Sequence, residues 1–230
     1  SRIMVQQDAL MADARAFMKS RVILTAAELD LFTYFHEKPS SAAAVALELD
    51  LDTRAATRIL DCLAGFGFLH KQNGEYSLTQ LGSFYSARHP ETVLPMIHHY
   101  NHLWDSWNSL PNIVQTGMDP ETRPGVQFQE EEWGAFIGAM HVVGRELSEK
   151  IAETYDLSRF NSVLDIGGAS GTYIIAFLRK NPNMRAVIFD LERVMPMARE
   201  RINQEGLSDR VELAAGDFYQ DELPSGCDLA

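Results

Sequence analysis

The sequence predicts an α/β protein: a helix-rich winged-helix domain at the N-terminus, then the first half of a Rossmann-like parallel sheet. Three observations predict it. Apolar residues recur at helical spacing through residues 10–66. Asn73 and Gly74 then separate two short apolar-containing runs, the signature of a β-hairpin. From residue 161 the pattern becomes strand, helix, strand, helix, strand, which builds a parallel sheet with right-handed crossovers.

The first zone is expected over residues 1–90. Leu10, Met11, Ala14, Phe17, Met18 and Val22 share a helical face, and residues 27–35 form a second helix with Leu29, Leu31, Phe32 and Phe35 on its apolar side. Pro39 with Ser40 and Ser41 breaks the run, and a serine there can cap the next helix, 42–49. Asp52 can cap a third helix, 54–66, which Gly65 and Gly67 end. The hairpin around Asn73 and Gly74 completes a winged helix. That motif commonly reads DNA. Here Arg54, Arg58 and Lys71 are offset by Asp50, Asp52, Asp61 and Glu75. A packing or dimerisation module is therefore the preferred reading, and a DNA-reading regulator with a ligand-sensing second domain is the alternative.

The second zone, 91–156, reads as a helical linker that forms part of a substrate pocket. It carries His98, His99, Tyr100, His102, Trp104 and Trp107, then Trp133, Phe136 and Met140, interrupted by a loop at 116–125 with Pro120 and Pro124. The aromatics suit a pocket wall or a packed core equally. His98 and His102 stand four residues apart on one face, but no second ligand pair accompanies them, so no metal is assigned.

The third zone, 157–230, holds the chemistry. A strand at 161–166 runs through a glycine turn (Gly167, Gly168, Gly171) into a helix at 172–180; strands follow at 185–190 and 211–214, with a helix at 193–204 between them. Glycines at a strand-to-helix turn let a ligand approach the backbone at the helix N-terminus. The dinucleotide spacing fails in both registers: from Gly167 it meets Ala169 and Thr172, from Gly168 it meets Ser170 and Tyr173. A nicotinamide oxidoreductase is disfavoured accordingly, and the P-loop lysine is missing as well. Asp165, two residues before the turn, repels a pyrophosphate and favours a ligand with an ammonium group. Asp190 ends the second strand, where a carboxylate can accept both ribose hydroxyls. Asp217 can accept from an exocyclic amine and Phe218 can pack on a purine. Taken singly, these are a tight turn, a helix cap and a loop carboxylate. Together they describe a phosphate-free nucleoside with an amino-acid arm, S-adenosylmethionine.

The stretches SVLDIGGASG (162–171), FDLE (189–192) and GDF (216–218) resemble the cofactor motifs of class I S-adenosylmethionine-dependent small-molecule O-methyltransferases with an N-terminal winged-helix dimerisation domain. The wing sequence YSLTQLG (76–82) and the helix FIGAM (136–140) are similar to that family as well. The resemblance implies that Asp165, Gly167, Gly168 and Gly171 surround the methionine end of the cofactor. It also implies that Asp190 and Leu191 hold ribose and adenine, Asp217 and Phe218 recognise adenine, and Phe136 and Met140 face the acceptor. It further implies methyl transfer to a small, aromatic, hydroxylated molecule and a homodimer. Ala169 and Gly144 depart from the family pattern, which often has a third glycine and a hydroxyl residue at these places. Residues 227–230 look like the start of a fourth strand, and the family's histidine base is expected beyond Ala230, so a piece of a longer protein is expected and no catalytic residue is assigned. Three strands alone would leave an exposed parallel edge.

Composition narrows the partners. Hydrophobic residues are 46% of the 230 and charged ones 23%, enough for a substantial core. Acidic residues outnumber basic ones 32 to 20, a net charge of −12. Nucleic acids and anionic membranes are held by Lys and Arg clusters, so neither is expected as a partner. Two distant cysteines, Cys62 and Cys227, read as reduced thiols, and no signal peptide or membrane-length apolar run is found, so a cytoplasmic location is expected.

Overall fold

The structure is a computed structural model that describes residues 2–118, 128 and 130–230. The chain divides into two compact units, Ser1–Thr122 and Arg123–Ala230. The loop expected at 116–125 lies for the most part outside the described residues.

The first unit contains helices α1 (Arg2–Glu28), α2 (Leu31–Glu37), α3 (Ala42–Glu48), α4 (Thr53–Gly65), α5 (Gln80–Ser83), α6 (Leu94–Asn108) and α7 (Leu110–Thr116). The helix expected at 27–35 starts later than the periodicity suggested. α1 continues to Glu28, and Asp30, in the left-handed region at φ 54°, turns the chain into α2. The two N-caps fall where expected: Ser41 Oγ accepts from Ala44 N at 3.2 Å, and Asp52 Oδ1 from Ala55 N at 2.7 Å. Gly65 is the last residue of α4 rather than its stop; the turn is made by Gly67, at φ 81°.

Strands β2 (Leu69–Gln72) and β3 (Glu75–Leu78) form the hairpin, with Asn73 and Gly74 both at positive φ as a type I′ turn demands. A two-residue strand, β1 (Ser40–Ser41), joins the other side of β3. The core under this wing gathers Phe32, Phe35, Val45, Leu60, Leu63 and Tyr76. Tyr76 donates its hydroxyl to Asp61 Oδ1 at 2.6 Å, and Lys71 Nζ reaches the same oxygen at 2.6 Å. The wing's lysine is thus neutralised within its own fold.

The second unit begins with α8 (Glu130–Thr154) and continues as β4 (Ser162–Ile166), α9 (Thr172–Lys180), β5 (Arg185–Asp190), α10 (Met195–Gln204) and β6 (Val211–Ala215). The three strands are parallel in the order β4-β5-β6. A single 3₁₀ turn, Glu192–Val194, precedes α10, and Pro196 sits in the helix's first turn. The helix therefore starts two residues later than the 193–204 reading. The core lies between the sheet and its crossovers and includes Val163, Ile174, Leu178, Ile188 and Ile202.

Of the expected fourth strand, Leu229 forms one parallel bridge to Val163, on the side of β4 away from β5. Asp228 secures it by accepting the backbone N–H groups of Asn161, at 3.0 Å, and Ser162, at 2.8 Å, which holds its carboxyl down at about 2. Chain to either side of β4 makes that strand the point where sheet order reverses, and ligands of open parallel sheets bind beyond the carboxyl ends of strands at such a point. Among the described residues, no helix is long and apolar enough to cross a membrane.

Candidate functional site

β4 ends at Ile166, and residues 167–171 turn the chain into α9. The turn places Gly167, Ala169 and Gly171 at φ 75°, 49° and 81°. For an alanine that conformation costs about 1–2 kcal/mol. Asp190, at the end of β5, holds it there: its Oδ2 accepts the Ala169 N–H at 2.8 Å, while Oδ1 accepts the Leu191 N–H at 2.7 Å. Gly168 is fixed by packing, since a Cβ there would stand 2.9 Å from Asp165 Cγ and 2.9 Å from Ile188 Cγ2. The turn therefore lies directly on Asp165.

Above the turn is a cavity of about 430 Å³. Asp165, Gly167, Gly168, Ala169, Thr172, Tyr173, Asp190 and Val194 form its floor. One face of α8 forms its wall, with Trp133, Phe136, Ile137, Met140, Val143 and Gly144. Phe136 packs on Phe128 and Trp133, at ring-centroid distances of 5.0 and 6.1 Å. The cavity has two carboxylates and, among the described residues, no Lys or Arg in its lining.

Asp165 is the unusual group. Its Oδ2 is buried and finds no hydrogen-bond partner among the described residues. Burial first, and the charge of Asp190 second, push its carboxyl up to about 6. A buried carboxylate with an unmet oxygen is costly unless a cation or donor meets it.

A second recess, about 580 Å³, begins at the next residue after Asp190 and is lined by Leu191, Glu192, Arg193, Ala215, Gly216, Asp217 and Asp221. Asp217 accepts from Tyr219 N at 2.9 Å and Gln220 Nε2 at 3.1 Å. Phe218 is 52% exposed, stacks on Tyr219 and lines neither recess. Gly171 caps α9 outside the cavity lining. The structure thus gathers Asp165, Gly167, Gly168, Asp190, Phe136 and Met140 at one cavity, and Leu191 and Asp217 at the next.

Residues not singled out from the sequence also line the first cavity: Thr172, Tyr173 and Val194. The α8 stripe at 133, 136, 137, 140, 143 and 144 is a legible helical period. The aromatic zone of the sequence divides between the two units. Tyr100, Trp104 and Trp107 line a separate cavity of the first unit, about 480 Å³, with Ile23, Leu24 and Tyr85. Burial first, and His102 second, lower the His98 imidazole on α6 below its ordinary value, and no cluster of metal-ligating side chains occurs among the described residues.

Two family models match the chain, an O-methyltransferase dimerisation domain over residues 11–88 and an O-methyltransferase domain over residues 125–230. The chain belongs to the O-methyltransferase family. Its similarity to the O-methyltransferase SfmM3 of Streptomyces lavendulae is 31% identity, over 93% of this chain and 66% of that protein. The tetracenomycin polyketide synthesis 8-O-methyl transferase TcmO of Streptomyces glaucescens is 30% identical, over 91% of this chain and 64% of that protein. The O-methyltransferase chain spans less than two thirds of TcmO and about two thirds of SfmM3. Its fold matches human N-acetylserotonin methyltransferase in complex with S-adenosylmethionine with a TM-score of 0.81 at 24% identity, over 95% of this chain and 68% of that one. For this O-methyltransferase chain the rival reading as a DNA-binding regulator gains no support from these matches.

Proposed function

We propose that the chain is the cofactor-binding and dimerising part of an S-adenosylmethionine-dependent O-methyltransferase whose acceptor is a small, aromatic, hydroxylated molecule. The observation that carries this reading is that Asp165, a largely buried carboxyl with one oxygen unpartnered among the described residues, lines a cavity with two carboxylates and no basic side chain in its described lining. Such a site repels phosphate and suits a ligand bearing both an ammonium and a sulfonium charge.

Bound S-adenosylmethionine supplies an electrophilic methyl group. The chain's residues supply binding and orientation. Asp165 holds the ammonium. Asp190, already braced by the Ala169 and Leu191 amides, accepts the ribose hydroxyls with its remaining lone pairs. Leu191 would pack beside the adenine, Asp217 would accept its exocyclic amine, and Phe218, exposed beside Asp217 of the second recess, would cover the ring. Gly167 and Gly168 would keep the backbone low under the methionine arm, and Gly171 lets the turn pack against Ile188 and Ile202. Phe136 and Met140 present an apolar wall to the acceptor, and fixing the acceptor oxygen in line with the methyl group is the chief rate contribution. The general base is assigned to no residue of this chain.

In this reading residues 1–90 join two copies, the α8 part of 91–156 lines the acceptor pocket and 157–230 hold the cofactor. The pairing of Lys71 with Asp61 leaves the wing poorly equipped for phosphate, so no nucleic-acid partner is proposed. The free cysteines Cys62 and Cys227 fit a reducing, cytosolic setting.

Calorimetric titration of the whole chain with S-adenosylhomocysteine tests the reading: saturable 1:1 binding is expected, with no binding of NADH. Asp190→Ala is expected to weaken the affinity by about tenfold or more, since charge-assisted bonds to the ribose are lost. Unchanged affinity would show that the ribose is held elsewhere.

A further inference from the structure

We infer that Thr172, oriented by His141, is the hydroxyl that binds the carboxylate of the ligand's amino-acid arm. The inference rests on the cofactor reading above and adds two residues to that site. Thr172 is the first residue of α9 and lines the same cavity as Asp165. α9 is nine residues long, and its cap, Gly171, offers no side chain to the amide groups of the first turn. An amino-acid arm is a zwitterion. Asp165 on the cavity floor answers its cation, and the entry to α9 is the place where an anion is favoured.

His141, on α8, stands over that entry. Its Nδ1 lies 2.8 Å from Thr172 Oγ1. Half-burial, then the charges of Arg201 and Arg145, hold the imidazole neutral by lowering it to about 4. A neutral ring has one N–H and one lone pair. With the hydrogen on Nδ1, the ring donates to Oγ1, and the threonine hydroxyl is left with its own hydrogen to donate into the cavity. Gly144, three residues further along α8, lets the helix approach: a Cβ there would come within 3.5 Å of Thr172 Cγ2 and 3.3 Å of Tyr173 Cε2. His141 is therefore a positioning residue, and Thr172 the group that touches the ligand.

The test compares S-adenosylmethionine with decarboxylated S-adenosylmethionine, which keeps the sulfonium and the ammonium but lacks the carboxylate, by calorimetry on the whole chain. Thr172→Val, which keeps the shape, is expected to weaken S-adenosylmethionine about tenfold and leave the decarboxylated ligand within about twofold. Thr172→Ser should restore the discrimination. His141→Leu should reproduce most of the loss, while His141→Asn, whose amide can place a donor near the Nδ1 position, should retain most of the affinity. Equal losses on both ligands, or no loss on S-adenosylmethionine, overturn the assignment while leaving the cofactor reading intact. His141→Asn behaving like His141→Leu would overturn the donor role of the ring. A wild-type chain that binds neither ligand defeats the cofactor reading, and this inference with it.

Discussion

A single carboxyl concentrates the conflict between stability and binding in this chain. Asp165 titrates near 6 in the folded protein against an ordinary value of 3.8. Between those values the folded chain holds the proton more often than the unfolded one, so stability falls as pH rises through that window. Above it the buried charge costs about 2–3 kcal/mol. His141 works in the opposite sense. Its value is lowered from 6.5 to about 4, so the unfolded chain binds the proton first and stability rises with pH over that range. The wild-type profile therefore mixes two opposed contributions, and only a difference between variants isolates one of them. Asp165→Asn removes the buried charge at nearly constant volume. It should melt at a higher temperature than wild type at pH 7.5, with the gap closing toward pH 4, and should lose affinity for S-adenosylmethionine. A gap that does not change with pH would mean that Asp165 is not the ionised, unmet group described above.

At the scale of elements, what could be read from the sequence was what is settled within three or four residues. Ser41 and Asp52 cap helices through amides three positions on, and Asn73 with Gly74 fixes the hairpin by backbone sign alone. The glycine turn and Asp190 were legible because strand ends come in chain order. Strand β1 and helix α5 were not, because their partners lie elsewhere along the chain: Ser40 pairs with Tyr76, and α5 sits on Phe68, just before β2 begins. The pairing of His141 with Thr172 spans 31 residues and two helices, and no local pattern announces it. The seating of α5 can be tested. The Phe68 carbonyl accepts both the Thr79 amide, at 3.1 Å, and the Thr79 hydroxyl, at 2.9 Å, and a Cβ on Gly82 would lie only 2.1 Å from that oxygen. Backbone cannot yield as a side-chain tip would. Gly82→Ala should therefore destabilise the first unit by about 1–3 kcal/mol in chemical denaturation, an overpacking cost that its exposed neighbour Leu81→Ala should not share. Equal stability of the two variants would show that α5 is free to lift from the wing.

At the scale of the whole molecule, the surface of α1 has more apolar character than a monomer needs. Leu10, Met11, Phe17 and Met18 are 69%, 62%, 54% and 58% exposed, and only the end of α1 packs into the first unit's core. Burying one such side chain is worth about 1.5–3 kcal/mol, so four are worth about 6–12 kcal/mol. Association of two chains costs about 4–15 kcal/mol before any gain, so the helix alone barely breaks even. The margin has to come from neighbouring surface. A groove of about 670 Å³ runs beside Phe17 and Met18 along Val22, Ala55, Ile59 and Cys62, joining α1 to α4. A second copy seated on α1 and this groove would bury an apolar strip flanked by Arg21, Asp52, Arg54 and Arg58, and the dimerisation-domain match over residues 11–88 covers all of it except Leu10. Light scattering should therefore give twice the chain mass. Phe17→Asp with Met18→Asp places two charges on that strip, on a chain that already carries −12. Both positions are exposed within one chain, so the double variant should keep its circular dichroism while its mass falls to that of one chain. A wild-type chain that already runs as a monomer at micromolar concentration would rule out the second copy as the occupant of this face.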